Sequence, residues 1–433
     1  MCGMRLARWA LLAVASLMPL PCASQVNYVA RFEMEKPRYL LGEPVFAKFT
    51  IQNSGSETFQ FAYRSPSRVL NRELESEPRF RVTEQAGRAL PDPAPEPCGG
   101  TGGTVVYGSV TLPPGQTHTE RWLVNQWARF TSQGRYHLRA ERRLPLLALD
   151  PRTQELSKKP AAYALALDEL TFEVVPATEA ELRAAFKPFQ QDLKDAKNPN
   201  PAEAVLVVTT LPQAFFLSDL EAMTKPSSAK RWDRRVALEG MARLGTPEAW
   251  KAILNIAQGK QFVTATDSSS RAHTQLSTSK DDSLRAYAVL LLAEKGDAAS
   301  LPALLEMASK GSGGLQDDAL RALGFFQDPR AVQALYEKLH SEKPSDRMNA
   351  ILGLKNLGTK ETLPALMAML NDPAPQVRQV ANFALRGLTG EKFNLSEKAE
   401  REESARVAAQ WHAWWREKGG SFVLPRPSPC REW

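Results

Sequence analysis

Leu301-Pro302-Ala303-Leu304, Val332-Gln333-Ala334-Leu335 and Leu363-Pro364-Ala365-Leu366 follow one another at steps of 31 residues. The same offset superposes Ala288, Ala319, Ala350 and Ala381, and then Leu292, Leu323, Leu354 and Leu385. An earlier copy supplies Ala237 and Met241 after a step of 51, the added 20 residues falling in a Ser/Thr-rich stretch near 260–280. Turn positions agree as well: Leu244-Gly245-Thr246-Pro247, Gly296-Asp297, Gln327-Asp328-Pro329 and Leu357-Gly358-Thr359. A unit of two helices and two turns is too small to bury its own apolar face, so successive units must stack. The Ala column lets neighbouring helices approach and the Leu column fills the layer between them. The expectation is an α-solenoid of helical hairpins.

The array resembles the HEAT-repeat family, in particular the short bacterial, phycobilisome lyase-like form, through Pro302 and Pro364 in first helices, Asp372 in a turn and Val377-Arg378 opening a second helix. The resemblance implies a ladder in which an Asp and an Arg six positions apart bond repeat to repeat. Asp372 and Arg378 keep that spacing. Arg347 and Arg285 keep only the basic member, opposite Ser341 and Ser279, and one copy has Lys310 and Gln316. A continuous ladder is therefore not expected.

Core columns stay fixed in such a stack, so binding is sought where the second helices vary. Those positions carry Arg235, Glu239, Arg321, Lys355, Gln379 and Arg386. Their basic bias points to an acidic peptide or polysaccharide, and the partner expected is another protein, an acidic component of the envelope. The solenoid is placed at 201–391, in about five units of which the first, 201–223, is degenerate. Trp411, Trp414 and Trp415 share one helical face and read as an aromatic lid in a capping helix and loose tail at 392–433.

Upstream of residue 176 the apolar period is two. Val45, Ala47, Phe49 and Ile51 alternate with Phe46, Lys48 and Thr50, and Tyr136, Leu138 and Ala140 alternate with Arg135, His137 and Arg139. Seven or eight short strands over 25–176 suggest an antiparallel β-sandwich. Its late Pro-Gly turn, Trp122 strand and Gly134-x-Tyr136-x-Leu138-x-Ala140 resemble immunoglobulin-like and BsuPI-like inhibitor domains. Two irregular insertions are expected, at 91–103 and at about 142–166, the latter covering a sheet edge with Leu144-Pro145-Leu146-Leu147. Thr178 and Glu181 form a capping box opening a helical linker over 177–200. The fold class is thus all-β followed by all-α: an immunoglobulin-like antiparallel β-sandwich, then a solenoid of HEAT-type hairpins.

Arg5 and Arg8, the apolar run Trp9–Leu20 and the small residues Ala23 and Ser24 make 1–24 a signal peptide, and export to the periplasm or medium is expected. The run is too short to span a bilayer. Pro21 stands before Cys22 where a lipobox has a small residue. The mature chain then keeps Cys98 and Cys430, for which a single bridge and two unpaired thiols both remain open. A net charge of +7 spread along 433 residues is an ordinary solvated surface with no basic arm for nucleic acid.

Catalysis has no foothold in the sequence. The histidines at 118, 137, 273, 340 and 412 are isolated and none precedes Glu, unlike the His-Glu pairs of the iron-binding HEAT enzymes. Gly99-Gly100-Thr101-Gly102-Gly103 lacks the Lys-Ser or Lys-Thr of a phosphate loop, and no Gly-x-Ser-x-Gly elbow occurs. No cofactor or metal is expected. The reading is a non-enzymatic protein-interaction scaffold, with a protease-inhibitor-like or ligand-binding sandwich as the alternative.

Overall fold

The computed structural model describes residues 26–64, 77–93, 107–225, 233–259 and 279–425, except 151, 154, 196, 199, 200, 296, 297, 312, 397 and 398. The segment 1–24 expected as a signal peptide, Cys98, Cys430, the Gly-rich part of the 91–103 insertion and the Ser/Thr-rich stretch lie outside these residues.

Among the described residues the N-terminal region holds nine strands: β1 (Tyr28–Met34), β2 (Arg38–Leu40), β3 (Phe46–Asn53), β4 (Phe59–Arg64), β5 (Arg79–Glu84), β6 (Tyr107–Leu112), β7 (Thr117–Leu123), β8 (Gly134–Ala148) and β9 (Ala162–Val175). One sheet has the order β1-β3-β7. The other has the order β2-β9-β8-β4-β6, with β5 also paired to β8. Alternation puts Phe32, Phe49, Ile51 and Trp122 of the first sheet and Tyr136, Leu138, Phe172 and Val174 of the second into one core.

The second expected insertion is not a loop. β8 and β9 pair without interruption from Gly134 opposite Val174 to Leu146 opposite Ala162. Leu144 and Leu146 are buried because they continue the inward phase of Tyr136, Leu138 and Ala140, and Ala164 and Ala166 face them from β9. The segment 142–166 therefore forms a long β arm.

Among the described residues thirteen α-helices follow: α1 (Glu179–Lys194), α2 (Ala202–Thr210), α3 (Leu217–Met223), α4 (Arg235–Leu244), α5 (Pro247–Ala257), α6 (Ser279–Lys295), α7 (Leu301–Lys310), α8 (Gly314–Leu323), α9 (Pro329–Lys338), α10 (Pro344–Leu357), α11 (Leu363–Ala368), α12 (Pro375–Thr389) and α13 (Arg401–Lys418). They pair as α1/α2, α3/α4, α5/α6, α7/α8, α9/α10 and α11/α12, and the even-numbered members stack in order. At Gly358 the chain leaves α10 in the left-handed region, φ 61°, which a side chain would disfavour. Gly324 serves a different need: a Cβ there would sit 1.9 Å from the Gly353 carbonyl oxygen, so α8 and α10 cross closely only because it is absent.

Residues 201–223 are thus not one degenerate unit. They hold the second helix of one hairpin and the first of the next. The segment expected as a linker supplies the missing partner. Thr178 and Glu181 close the capping box, and α1 then buries Phe186 and Leu193 with Val207 and Val208 of α2.

The first sheet also enters the helical core. Phe46 and Leu123 are register partners on the outward face of β3 and β7, yet both are buried in the same cluster as Phe186. The Phe46 ring stacks on Phe189 of α1 at 6.2 Å between centroids. The Arg121 guanidinium lies 4.1 Å from the centre of the same ring and pairs with Glu35 and with Glu203 of α2. At the far end α13 closes the stack: Trp411 is fully buried against Phe393 and donates to the Asn382 side chain, and Trp414 donates to Glu391.

Candidate functional site

Successive second helices carry a buried column that donates hydrogen bonds where the preceding first helix or turn ends. Arg234 donates to the Thr224 carbonyl, Arg285 to Ala257, Gln316 to Ala308, Arg347 to Ser341 and Glu342, and Arg378 to Asp372 and Pro373. Each contact supplies a donor to a carbonyl at a helix end or in the turn that follows it. Arg347 also binds Asp372 of the following repeat through Nε at 2.7 Å and Nη2 at 2.8 Å. The expected repeat-to-repeat rung is thus formed by Asp372 with Arg347 of the preceding repeat, while Arg378 reaches on to the Ala399 carbonyl and to the Ser404 hydroxyl in the first turn of α13. Gln316 holds its place in the column as a neutral donor.

This column fixes the even helices and leaves their opposite flank to solvent, where the six sequence-selected residues lie. They do not form one basic surface. Arg235 is bound by both carboxylate oxygens of Asp233, and its guanidinium lies 6.0 Å from the Tyr287 ring. Burial pushes the Asp233 carboxyl up, but Arg235 outweighs it and holds the group below the usual range. Glu239 accepts from the Tyr287 hydroxyl at 2.8 Å and from Arg243 at 3.2 Å. Burial beside that carboxylate raises the Tyr287 hydroxyl well above its ordinary value. Arg321 is paired with Asp318, and its carbonyl accepts from Asn356 of α10. Gln379 donates to the Ser396 carbonyl and so braces the segment before α13.

Lys355 and Arg386 occupy equivalent positions one repeat apart. The Lys355 ammonium lies 4.6 Å from the centre of the Phe383 ring, and a Cβ on Gly387 would approach its Cε to 3.0 Å. Phe383 is 48% exposed, and Arg386 is exposed in the last turn of α12. Phe383 was not singled out by the sequence reading. Its signal is the column Leu290, Arg321, Leu352 and Phe383, which is mostly apolar although it lies on the solvent flank.

A second feature is an open depression of about 550 Å³ where α1 meets the α2–α3 turn, lined by Glu179, Leu182, Arg183, Gln213, Ala214 and Phe215. Arg183 bonds Glu179 at 2.7 Å and covers the Phe215 ring. Among the described residues no three His, Cys, Asp or Glu side chains are placed to hold a metal, and no helix is long and apolar enough to cross a membrane.

No curated protein matches the chain. Among solved structures, a β-glucosidase from Erythrobacter marinus is similar at 12% identity and a TM-score of 0.18, over 35% of this chain and 16% of that one. A CARDB domain from Pyrococcus furiosus, described in complex with two metal ions, is similar at 11% identity and a TM-score of 0.16, over 36% and 97%. An engineered protein is similar at 18% identity and a TM-score of 0.25, over 48% and 91%. The chain thus spans less than a fifth of the β-glucosidase, and at these TM-scores none of the three bears on the fold. The profile of HEAT repeats matches residues 271–346 and 314–386, where α6 to α12 stack. The C-terminal region of this chain carries HEAT repeats.

Proposed function

We propose that the protein is an exported, non-enzymatic scaffold that binds another protein on the solvent flank of its second helices. In this reading the β-rich region is an immunoglobulin-like sandwich and the helical region an α-solenoid. The observation that carries it is the exposed Phe383 ring with the Lys355 ammonium over it and Arg386 exposed one turn further along α12. An aromatic ring with adjacent cations suits a partner segment that pairs apolar and acidic side chains, and aromatic and Arg side chains are the usual anchors of such contacts. HEAT repeats generally serve as protein-interaction scaffolds.

The test is affinity capture from the envelope fraction with the full chain, with Phe383→Ala and with the double variant Lys355→Glu/Arg386→Glu. A partner held by the first and lost from both variants supports the reading. Equal recovery by all three overturns it.

A further inference from the structure

Five of the seven exposed large hydrophobic side chains among the described residues gather in the β-rich region; the other two, Phe383 and Val423, lie in the helical region and the C-terminal segment. Leu156, Tyr163, Leu165 and Leu167, between 37% and 53% exposed, all lie on the β8–β9 arm, and Val29 lies on the neighbouring β1. Tyr163, Leu165 and Leu167 share the outward phase of β9, and Leu156 is paired with Leu149 where the arm turns. A contiguous apolar surface of this kind marks an interaction site.

The strand edge is already occupied. The Tyr28 hydroxyl donates to the Tyr163 carbonyl and accepts from the Leu165 amide, and the Asp168 carboxylate accepts from the Phe32 amide. An added strand would find these groups taken, so the surface on offer is the face.

Charge is divided along that face: Glu141 stands opposite Leu167 and Glu169 is paired with Arg139 at its base, and cations gather toward the tip. Arg143 lies 4.0 Å over the Tyr163 ring, and Arg152, Lys158 and Lys159 are exposed at the tip. The tip's acidic groups are Glu155 and Asp150, and the Asp150 carboxylate is engaged by the amides of Arg152 and Thr153. A two-fold contact with a second copy would bring these cations against their own equivalents. An anionic bilayer meets both features at once, since apolar side chains enter the interface while Lys and Arg stay at the headgroups.

We propose that the outward face of the β8–β9 arm docks the protein on an anionic lipid surface, with Leu165 and Leu167 entering the interface and Arg143, Lys158 and Lys159 contacting headgroup phosphates. Binding is peripheral and salt-sensitive.

The test is co-sedimentation of the full chain with phosphatidylcholine vesicles, with and without phosphatidylglycerol. The anionic vesicles are expected to retain the protein about tenfold better, and Leu165→Glu and Arg143→Glu each to reduce retention about tenfold. Both side chains are exposed, so unfolding midpoints equal to that of the parent protein show that the variants are folded; Leu167→Glu replaces either one that is not. Protein left in the supernatant with both vesicle types, or a folded Leu165→Glu that pellets like the parent, overturns the proposal. A dimer in sedimentation velocity that Leu165→Glu dissociates also overturns it, by assigning the face to a second copy.

Discussion

Arg142 Nη1 lies 2.7 Å from Glu120 Oε2 in the middle of the β core, one residue from each sheet, with side chains only 2% and 5% exposed. The guanidinium also rests 4.5 Å over Phe49, and the Trp122 indole donates to the same carboxylate oxygen at 3.0 Å. Removing one charge from such a pair strands the other in an apolar interior. Arg142→Leu is expected to cost about 3–5 kcal/mol, and Glu120→Gln on top of it to restore part of that loss. Urea unfolding of the single and double variants measures both.

The same pair sets an acid limit. Burial pushes the Glu120 carboxyl up, but Arg142, with His118 at 3.2 Å, outweighs it and holds the group below the usual glutamate range. A folded value below the unfolded one means that its contribution is fully present above the ordinary value of about 4.3 and is lost as pH falls through the lower folded value. Unfolding curves taken across that acid window are expected to fall more steeply for the parent protein than for Glu120→Gln. Parallel curves would refute this.

Arg347 holds Asp372 and the end of α9 at once. Arg347→Ala leaves a carboxylate 8% exposed without its main partner and is expected to destabilise by about 3 kcal/mol. Arg386→Ala, at an exposed position of α12, is expected to change stability by less than about 0.5 kcal/mol. Chemical denaturation of the two variants gives the comparison.

Gly324→Ala forces a methyl against the Gly353 carbonyl and is expected to cost about 1–3 kcal/mol, or more if α8 and α10 cannot part. Gly314→Ala, with nothing within 4 Å, is the matched control and is expected to be near neutral. Thermal unfolding of both decides whether the close crossing is required.

The repeat was legible because its Ala and Leu columns are the core itself, and period and burial coincide there. What escaped the reading lies where two periodicities meet. Phe46 stands on the outward phase of β3 and was read as the wet face, but that face is covered by α1, from a segment more than 130 residues later. Arg142 falls on the inward phase of Tyr136, Leu138 and Ala140, and its charge ended the strand prematurely in the sequence reading. Its partner, Glu120, sits on a different strand at a distance in sequence that no local pattern encodes. Arg234 could have been found, because the steps of 51 and 31 that align the Ala column carry it onto Arg285, Gln316, Arg347 and Arg378. The six surface positions lie on α4, α8, α10 and α12, and the carboxylates paired with Arg235 and Arg321 interrupt the basic stripe that the sequence suggested.

Phe46 and Leu123 give the first helical layer part of its floor. Neither half of the molecule is then a module that can be cut away or moved to another protein: a fragment starting at residue 201 would expose Val207 and Val208 on one side, and a fragment ending at 176 would expose two bare side chains on the other. Insertions between 176 and 201, tolerable in a tether, would here shift a packed layer. The Ala column survives 20 additional residues between its Ala237 and Ala288 copies, whereas a packed seam leaves no such slack between 176 and 201.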